Sequence, residues 1–317
     1  MFSDLGLAEP ILRAVTDTGY AAPTPIQAQV IPAMLDGQDV VGIAQTGTGK
    51  TAAFVLPVLH KLTADDTKIG HRRVKTLMLV PTRELATQIA DGLKTYGQHI
   101  NVKSAVIVGG VKPGPQLKAL ANGLDIVIAT PGRLLDHLQT GAVRLDKTTT
   151  VILDEADQML DLGVMPAIRK IMAKLPGRRQ TAMLSATMPK QIRKLAEDFL
   201  TNPKEVSVAP AAKPIDKIEQ SVCFVPSNAK RAVLVQLLAD RDVERAIVFT
   251  RTKHGADRVV KHLDKTGLLA AAIHGNKSQN NRQRTLDAFR RGKMPILVAT
   301  DVAARGIDID DVSHVIN

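Results

Sequence analysis

Short runs of β-branched and apolar residues alternate along the chain with segments long enough to form helices. Residues 151–153 read Val-Ile-Leu, a continuous apolar run typical of strands that are buried on both faces. Strands that alternate with helices indicate βαβ units, and these units build parallel sheets covered by helices. The pattern therefore predicts an α/β fold with a doubly wound parallel sheet. In the first part of the chain the predicted strands are residues 40–44, 76–80, 104–108, 125–129, 149–154 and 181–185.

A second series of strands indicates a second domain. Its predicted strands are residues 221–225, 245–250, 269–273, 296–299 and 312–316. Between the two series, residues 209–216 read Ala-Pro-Ala-Ala-Lys-Pro-Ile-Asp, a short proline-bearing stretch without apolar periodicity. We interpret this stretch as a linker. The predicted organisation is a domain at 1–208, a linker at 209–216 and a second domain at 217–317.

Residues 44–51, which read Ala-Gln-Thr-Gly-Thr-Gly-Lys-Thr, follow the first predicted strand. This spacing is typical of a phosphate-binding loop, in which glycines let backbone N–H groups close on phosphate oxygens at the start of a helix. Lys50 can reach the terminal phosphates, and Thr51 can offer its hydroxyl to Mg²⁺. Ala44 stands where the usual pattern has its first glycine. The candidate phosphate-binding residues are Thr46, Gly47, Thr48, Gly49, Lys50 and Thr51.

A second motif, Asp-Glu-Ala-Asp, occupies residues 154–157, directly after the apolar run 151–153. Asp154 should lie at the carboxyl end of a buried strand, where it can hold Mg²⁺ through water. Glu155 is then available to orient a hydrolytic water. Either motif alone is modest evidence, and the alternative is a glycine turn with a surface cluster of acids. In this order they predict a nucleoside triphosphatase site, with Lys50, Asp154 and Glu155 as catalytic candidates.

The net charge of the chain indicates which kind of binding partner is favoured. Lysine and arginine exceed aspartate and glutamate by 42 − 31 = 11 among 317 residues, and the isoelectric point is near 9.8. This excess favours a polyanion such as nucleic acid, although a solvated basic face gives the same count. With 3% aromatic residues and no tryptophan, contact with a sugar-phosphate backbone is favoured over a platform that stacks bases.

The single cysteine, Cys223, excludes an internal disulfide and a thiolate metal cluster. It lies in an apolar, strand-like run, which predicts a small core residue. The first residues do not resemble a signal peptide, and no apolar run has the length of a membrane span. We therefore expect a cytoplasmic protein without a membrane partner.

Besides 44–51 and 154–157, the chain carries further short motifs, which are Phe2, 19–27, 81–85, Gly109-Gly110, 130–133, 185–187, 248–252, 279–282 and 299–308. In this order the motifs resemble those of the DEAD-box ATP-dependent RNA helicases of superfamily 2, and the resemblance runs along the whole chain. It implies two tandem RecA-like domains with ATP and RNA in the cleft between them, and Mg²⁺ with the ATP. It also implies RNA-stimulated ATP hydrolysis coupled to domain closure on single-stranded RNA and local duplex unwinding. The sequence as a whole is most similar to the bacterial RhlE-like branch.

The resemblance implies further contacts with ATP. The carboxamide of Gln27 can pair with the N6 and N7 edge of adenine, and Tyr20 offers a ring face for stacking. Without the family, Gln27 reads as a helix-surface residue. The residues implied at the nucleotide are Phe2, Tyr20, Ala22, Gln27, Gly306 and Asp308, with Asp308 on the ribose.

Ser185 and Thr187 complete the implied catalytic set. They can hydrogen-bond Asp157 or the γ-phosphate region, and the family uses this segment to connect ATP with RNA-driven domain closure. In isolation the segment reads as a turn before Pro189.

Candidate RNA contacts follow several strands. Glycines allow close approach of a strand, helices that begin after Pro81 and Pro131 present N–H groups, and arginines neutralise phosphates. As isolated features, Gly-Gly and Pro-Gly-Arg are ordinary turns, and Arg282 alternatively faces solvent on a predicted helix at 278–291. The resemblance implies RNA contacts at Pro81, Arg83, Gly110, Thr130, Gly132, Arg133, Arg251, Gly275, Gln279, Arg282 and Thr300, the last near RNA or the hydrolytic water.

The end of the chain departs from the family pattern. Members continue from the strand predicted at 312–316 into an arginine-rich motif whose arginines reach the transferred phosphate, whereas this sequence stops at Asn317. We expect either a fragment with an incomplete second domain or arginines supplied by another polypeptide. On this expectation the chain binds ATP and hydrolyses it poorly, and phosphate release by a chain extended past Asn317 is the comparison that tests it.

Two other functions stay open at this point. A DNA helicase of the same superfamily shares the phosphate loop but should lack the combination of Gln27, 81–85 and 185–187, and an ATPase assay with RNA and DNA separates the two. A non-hydrolysing RNA clamp gains weight from the absent arginines. Partners in ribosome assembly or RNA decay are compatible with the family, and the sequence does not identify the RNA or the oligomeric state.

Overall fold

The computed structural model describes residues 1–65, 67, 69–208, 218–240, 242–301 and 311–317. The chain divides into two compact units, Met1–Lys213 and Pro214–Asn317. The linker predicted at 209–216 lies outside the described residues, as do Gly306 and Asp308. In the described part of the chain, no helix is both long and apolar enough to cross a membrane.

Unit 1 is built on a seven-stranded sheet in the order β3-β4-β2-β5-β6-β1-β7, and its strand pairs are parallel. Six of these strands match the predicted ones to within about two residues, as expected for boundaries read from sequence. The strands are β1 (Val40–Ile43), β2 (Val74–Leu79), β3 (Ser104–Ile107), β4 (Leu124–Ala129), β5 (Thr150–Leu153), β6 (Gln180–Ser185) and β7 (Lys204–Ser207).

Strand β7 was not predicted from the sequence. It pairs with β1 at the edge of the sheet, and Val206 is its one buried residue. A strand with a single buried side chain carries too little apolar periodicity to be recognised.

Helices cover both faces of this sheet. Several begin with proline at the first helical position, where the missing N–H would have no partner inside the helix. The helical elements are a 3₁₀ helix (Phe2–Leu5), α1 (Glu9–Asp17), α2 (Pro25–Leu35), α3 (Lys50–Thr63), α4 (Arg83–Tyr96), α5 (Pro113–Ala121), α6 (Pro131–Gln139), α7 (Ala156–Asp161), α8 (Met165–Met172) and α9 (Lys190–Phe199).

The sheet separates two apolar clusters. Met78 and Val80 pack in one cluster, together with Phe54 of α3, whereas Leu77 and Leu79 pack in the other. Successive side chains of a strand point to opposite faces, so a continuous apolar run fills both clusters. The continuous apolar runs in the sequence have this physical cause.

The described residues of unit 2 form a four-stranded parallel sheet in the order β11-β8-β10-β9. Its apolar residues also form clusters, one around Val248 and Leu263 and another around Leu297 and Phe289. The elements are α10 (Lys230–Leu238), β8 (Ala246–Thr250), α11 (Lys253–Lys265), β9 (Ala270–Ile273), α12 (Gln279–Arg290), β10 (Ile296–Thr300) and β11 (His314–Ile316).

The prediction of a strand at 221–225 is wrong for the structure. In the described stretch 218–240 these residues form no strand, Val222 and Phe224 are 80% and 94% exposed, and Cys223 is exposed rather than buried in a core. A strand exists only where a neighbour satisfies its N–H and C=O groups, and the alternation of side chains does not reveal whether that neighbour is present.

Asp39 links two parts of unit 1. Its buried carboxylate accepts hydrogen bonds from the backbone N–H groups of Thr181 and Thr201, both at 2.7 Å.

We expect Asp39→Ala to lower the free energy of unfolding by about 2 to 4 kcal/mol, because two backbone donors lose a charged partner. Equilibrium unfolding in urea measures this change. The matched control is Asp36→Ala, which removes an exposed carboxylate and should change stability by less than about 0.5 kcal/mol; equal effects would contradict the assignment.

Candidate active site

The loops that follow the strands of unit 1 leave from one edge of the sheet, because the strands are parallel. The loops after the neighbouring strands β1, β6 and β5 carry the phosphate loop, Ser185 with Thr187, and the 154–157 motif. The loops after β2, β4 and β3 carry the candidate RNA contacts of this unit. The sheet order therefore separates the nucleotide candidates from the RNA candidates.

Both glycines of the phosphate loop have a backbone conformation that favours glycine. Gly47 and Gly49 have φ of 78° and 88°, a left-handed conformation that glycine adopts without strain. A Cβ at Gly49 would lie 2.4 Å from Nε2 of Gln27, whereas one at Gly47 would meet nothing within 4 Å. Thr48 Oγ1 donates a hydrogen bond to the carbonyl oxygen of Gln45 at 2.6 Å. The loop thus turns sharply into α3 and leaves room beside Gly47.

Lys50, the first residue of α3, is 6% exposed, and its Nζ has no hydrogen-bond partner among the described residues. Asp154 follows β5 and is 2% exposed. Burial raises the pKa of Asp154 to about 6, and the positive charge of Lys50 opposes that rise. A buried cation without a hydrogen-bond partner needs anionic partners, and a triphosphate with its metal can supply them.

Glu155 has φ 53° and ψ 53°, a left-handed conformation that is uncommon for a residue other than glycine. Its backbone N–H donates to Oδ1 of Asp154 at 2.9 Å, and its side chain is buried. Strained backbone of this kind persists where the surroundings hold it, and it often marks a functional site. The turn places two carboxylates at the end of the same strand.

Asp157 joins the β5 loop to the β6 loop. Its Oδ2 accepts hydrogen bonds from the N–H and the hydroxyl of Thr187 at 2.9 and 2.8 Å. Its own N–H donates to Oγ of Ser185 at 3.3 Å. These hydrogen bonds join Ser185 and Thr187 to Asp157, one of the two partners that the sequence analysis predicted for them.

Gln27 is 3% exposed and is not the helix-surface residue that the isolated sequence favoured. Its Oε1 accepts from the N–H of Thr24 at 2.9 Å, and its Nε2 donates to the carbonyl oxygen of Gly49 at 3.1 Å. A carboxamide has two donor hydrogens and two acceptor positions, so one of each is left for the edge of a base. Gln27 also braces the phosphate loop, which the sequence did not indicate.

Aromatic rings lie next to this segment. The rings of Phe2 and Tyr20 are stacked, with centroids 6.1 Å apart and an angle of 15° between them. Phe2 is buried, Tyr20 is 43% exposed, and Ala22 is exposed in the same loop. The hydroxyl of Tyr20 lies 2.8 Å from that of Tyr96, a residue that sequence analysis did not select. No local motif surrounds Tyr96, and its signal is only that it is one of two tyrosines in the chain.

The RNA candidates of unit 1 lie on adjoining loops. A Cβ at Gly110 would lie 1.9 Å from an Nη atom of Arg83, so the guanidinium occupies the space that a side chain would need. Arg83 begins α4 after Pro81 and the capping residue Thr82. Across these loops, Arg133 donates to the carbonyl oxygen of Val111 at 3.2 Å. Thr130 caps α6, and a Cβ at Gly132 would meet nothing within 4 Å.

The candidates of unit 2 follow the neighbouring strands β8, β10 and β9. Arg251 is exposed directly after β8, Gly275 is exposed two residues after β9, and Thr300 ends β10. Gln279 opens α12, and Arg282 is half-buried on that helix. These candidates therefore share one edge of the second sheet.

The parallel sheet, the glycine loop that opens α3 and the paired acidic strand end define a phosphate-loop nucleotide-binding protein. The family model described as DEAD/DEAH box helicase matches residues 24–195, and the model described as helicase conserved C-terminal domain matches residues 229–317. The chain belongs to the DEAD/DEAH box helicase family.

Several relatives are similar over the whole chain. The chain is 44% identical over 317 residues to ATP-dependent RNA helicase DeaD of Klebsiella pneumoniae and of Escherichia coli K12, and covers 48% and 50% of these proteins. It is 43% identical to DEAD-box ATP-dependent RNA helicase 20 of Oryza sativa and covers 64% of it. The chain thus spans about half the length of the bacterial relatives. The finer RhlE-like assignment stays a prediction.

Solved structures agree with the fold. A structure of S. cerevisiae Dbp5 bound to RNA and ADP BeF3 has a TM-score of 0.87 and 30% identity, covering 100% of this chain and 80% of that one. A DEAD box protein from Methanococcus jannaschii has a TM-score of 0.61 and 37% identity, covering 99% and 84%. These matches confirm the predicted fold of two parallel-sheet α/β domains.

The pKa of Asp154 predicts a pH dependence of folding stability. Its folded value near 6 lies above the value of 3.8 expected when unfolded, so the folded state binds the proton more tightly. The stabilisation is complete below about pH 4 and is lost as the pH rises through 6, by about 2 to 3 kcal/mol. Asp154→Asn should remove this component, so urea unfolding between pH 4 and 7 should show the variant diverging from wild type.

The control for this measurement is Asp36→Asn, an exposed carboxylate on the same unit. Its stability profile should run parallel to that of wild type. If the Asp154→Asn profile were also parallel, Asp154 would not have the raised pKa.

Proposed function

We propose that the protein is an ATP-dependent RNA helicase that couples RNA-stimulated ATP hydrolysis to local unwinding of a duplex. The observation that carries the proposal is the buried Nζ of Lys50, which has no hydrogen-bond partner among the described residues and lies near the carboxylate of Asp154. In that arrangement Lys50 can contact a polyanion, and Asp154 can contact the cation that accompanies it. The family membership and the names of the relatives, ATP-dependent RNA helicases, support the same activity.

The residues at this site fit a triphosphate and Mg²⁺. The positive-φ glycines and the N-terminus of α3 offer N–H groups, and Lys50 offers a cation to the terminal phosphates. Thr51 and Asp154 are the residues that would hold Mg²⁺, since this ion takes few protein ligands and shares the phosphates. Mg²⁺ would supply neutralisation of charge on the phosphate oxygens. The Dbp5 structure with ADP BeF3 supports nucleotide binding by this fold.

Glu155 is the residue proposed to orient the hydrolytic water. Its left-handed backbone turns the chain at the end of β5, so that Glu155 and Asp154 both lie at this end of the strand. Asp157, which is hydrogen-bonded to Thr187, joins this acidic loop to the 185–187 segment. We propose that the segment relays the occupancy of the ATP site to the RNA side, where ATP and RNA together favour a closed arrangement.

Adenine is proposed to lie between the free donor and acceptor of Gln27 and the exposed ring of Tyr20. A carboxamide matches the donor at N6 and the acceptor at N7 of adenine, whereas guanine presents an acceptor at position 6. Selectivity for ATP follows from that mismatch.

RNA is proposed to bind through its phosphates and sugars. Arg83 and Arg133 of unit 1, and Arg251 and Arg282 of unit 2, supply charge, and the glycine turns allow close approach. Backbone recognition implies low sequence specificity, and contacts with 2′-hydroxyls favour RNA over DNA. The net positive charge of the chain supports this partner.

Two substitutions test the ATP site. Lys50→Ala should weaken nucleotide binding, because the cation acts on the ground state as well as the transition state. In a chain extended past Asn317, Glu155→Gln should keep binding within about threefold and lower turnover by about a hundredfold or more, because it mainly affects a positioned water. Displacement of a fluorescent nucleotide and RNA-stimulated phosphate release measure the two effects. The control is Lys94→Ala, an exposed lysine on α4, and unchanged turnover in the Glu155 variant would refute its role.

A salt titration tests the RNA contacts. Arg251→Ala should weaken binding of single-stranded RNA and flatten the dependence of log K on log salt by about 0.7, the effect of one phosphate contact. The loss should be similar for RNAs of different sequence. The control is Arg258→Ala, which removes an exposed arginine from α11 that is not a candidate contact. Binding that depends on base sequence and persists at high salt would argue against backbone recognition.

A further inference from the structure

Tyr96 makes a specific contact with the exposed ring beside the nucleotide site. Its hydroxyl lies 2.8 Å from the hydroxyl of Tyr20, within hydrogen-bond distance. The two ring centroids are 6.1 Å apart with the planes tilted by 39°. Phe2 stacks on Tyr20 at the same separation. Tyr20 is thus contacted by two aromatic rings while 43% of its surface stays exposed.

Tyr96 itself is firmly held. It is the last residue of α4, it is 9% exposed, and it packs in the same apolar cluster as Phe54. A Cβ at Gly92, one turn earlier, would lie 3.5 Å from Cε2 of Tyr96 and 4.0 Å from Cγ2 of Thr51. The ring therefore lies over α4 and close to the start of α3.

The hydroxyl of Tyr96 stays protonated under ordinary conditions. Burial, followed by the hydrogen bond with Tyr20, raises its pKa above the usual value for tyrosine. A neutral hydroxyl both donates and accepts, so either tyrosine can be the donor of this pair. The bond thus joins a rigid partner to a partly exposed one.

We propose that Tyr96 is a positioning residue for the nucleobase of ATP, because its hydroxyl fixes the orientation of the stacking ring of Tyr20. The inference rests on the proposed function, in which the Tyr20 ring meets adenine. An exposed side chain that must be ordered on binding lowers affinity, and holding it in advance removes that cost. The contribution concerns the base alone, since Tyr96 is not a candidate contact for the phosphates.

The test removes only hydroxyl groups. Tyr96→Phe and Tyr20→Phe each delete one end of the bond and keep the ring. Each should weaken ATP binding by about fivefold, the range expected for one neutral hydrogen bond. The double variant should be no weaker than either single variant, because the second substitution removes a bond that is already lost. Inorganic tripolyphosphate, which has no base, should have the same dissociation constant for all four proteins when it is measured by competition with a fluorescent nucleotide.

Tyrosine fluorescence gives an independent readout, because the chain has two tyrosines and no tryptophan. In Tyr96→Phe, Tyr20 is the only tyrosine, so quenching by ATP reports directly on base stacking. Saturating ATP should still quench the emission, but the concentration for half quenching should be about fivefold higher than for wild type. Tripolyphosphate should cause no quenching.

The matched control is Thr95→Ala, which removes an exposed hydroxyl from the neighbouring position of α4 and should leave ATP affinity unchanged. Unfolding in urea reports whether Tyr96→Phe disturbs the core; if it does, Tyr20→Phe provides the test, because that hydroxyl belongs to the exposed partner. Equal ATP affinity in wild type and both variants, or equal losses for ATP and tripolyphosphate, would overturn the proposal. Absence of ATP binding by the wild-type chain would instead refute the proposed function.

Discussion

The constraint on which this site depends is the burial of Lys50 and Asp154 at the same edge of the first sheet. The two side chains are 6% and 2% exposed, and Lys50 Nζ lacks a hydrogen-bond partner in the described part of the chain. Burial disfavours the charged form of Asp154, so the pair costs stability unless further charge compensates it. A buried pair of this kind is suited to binding a charged ligand, which is the function proposed for this site.

The order of the strands arranges the rest around this pair. Acidic and hydroxyl groups that follow β5 and β6 lie beside the phosphate loop, and the arginine loops follow strands on the other side of β5. Helix α4 connects the candidate RNA contacts with the aromatic residues of the candidate nucleotide site. It begins at Arg83 and ends at Tyr96, which contacts Tyr20. Its 14 residues extend about 20 Å, so one rigid element reaches from the RNA candidates to the aromatic rings.

Much of the fold and the site was predictable because the relevant signals are local. A phosphate loop needs its glycines and lysine at fixed spacing, and a doubly buried strand needs a continuous apolar run, so both appear within a few residues. The strand predicted at 221–225 failed, and β7 was missed, for a common reason. Pairing depends on a neighbour distant in the chain, and the pattern of a segment does not contain that neighbour.

The sequence by itself determined the class of fold, the phosphate loop, the acidic motif and the family. Only the tertiary structure decided that Gln27 braces Gly49, that the Arg83 guanidinium lies against Gly110, and that Tyr96 reaches Tyr20. Each of these contacts joins residues that are separated by more than twenty positions. Such contacts arise when packing of the sheet and its helices fixes the distances between elements, and the alternation of apolar and polar residues specifies the elements but not those distances.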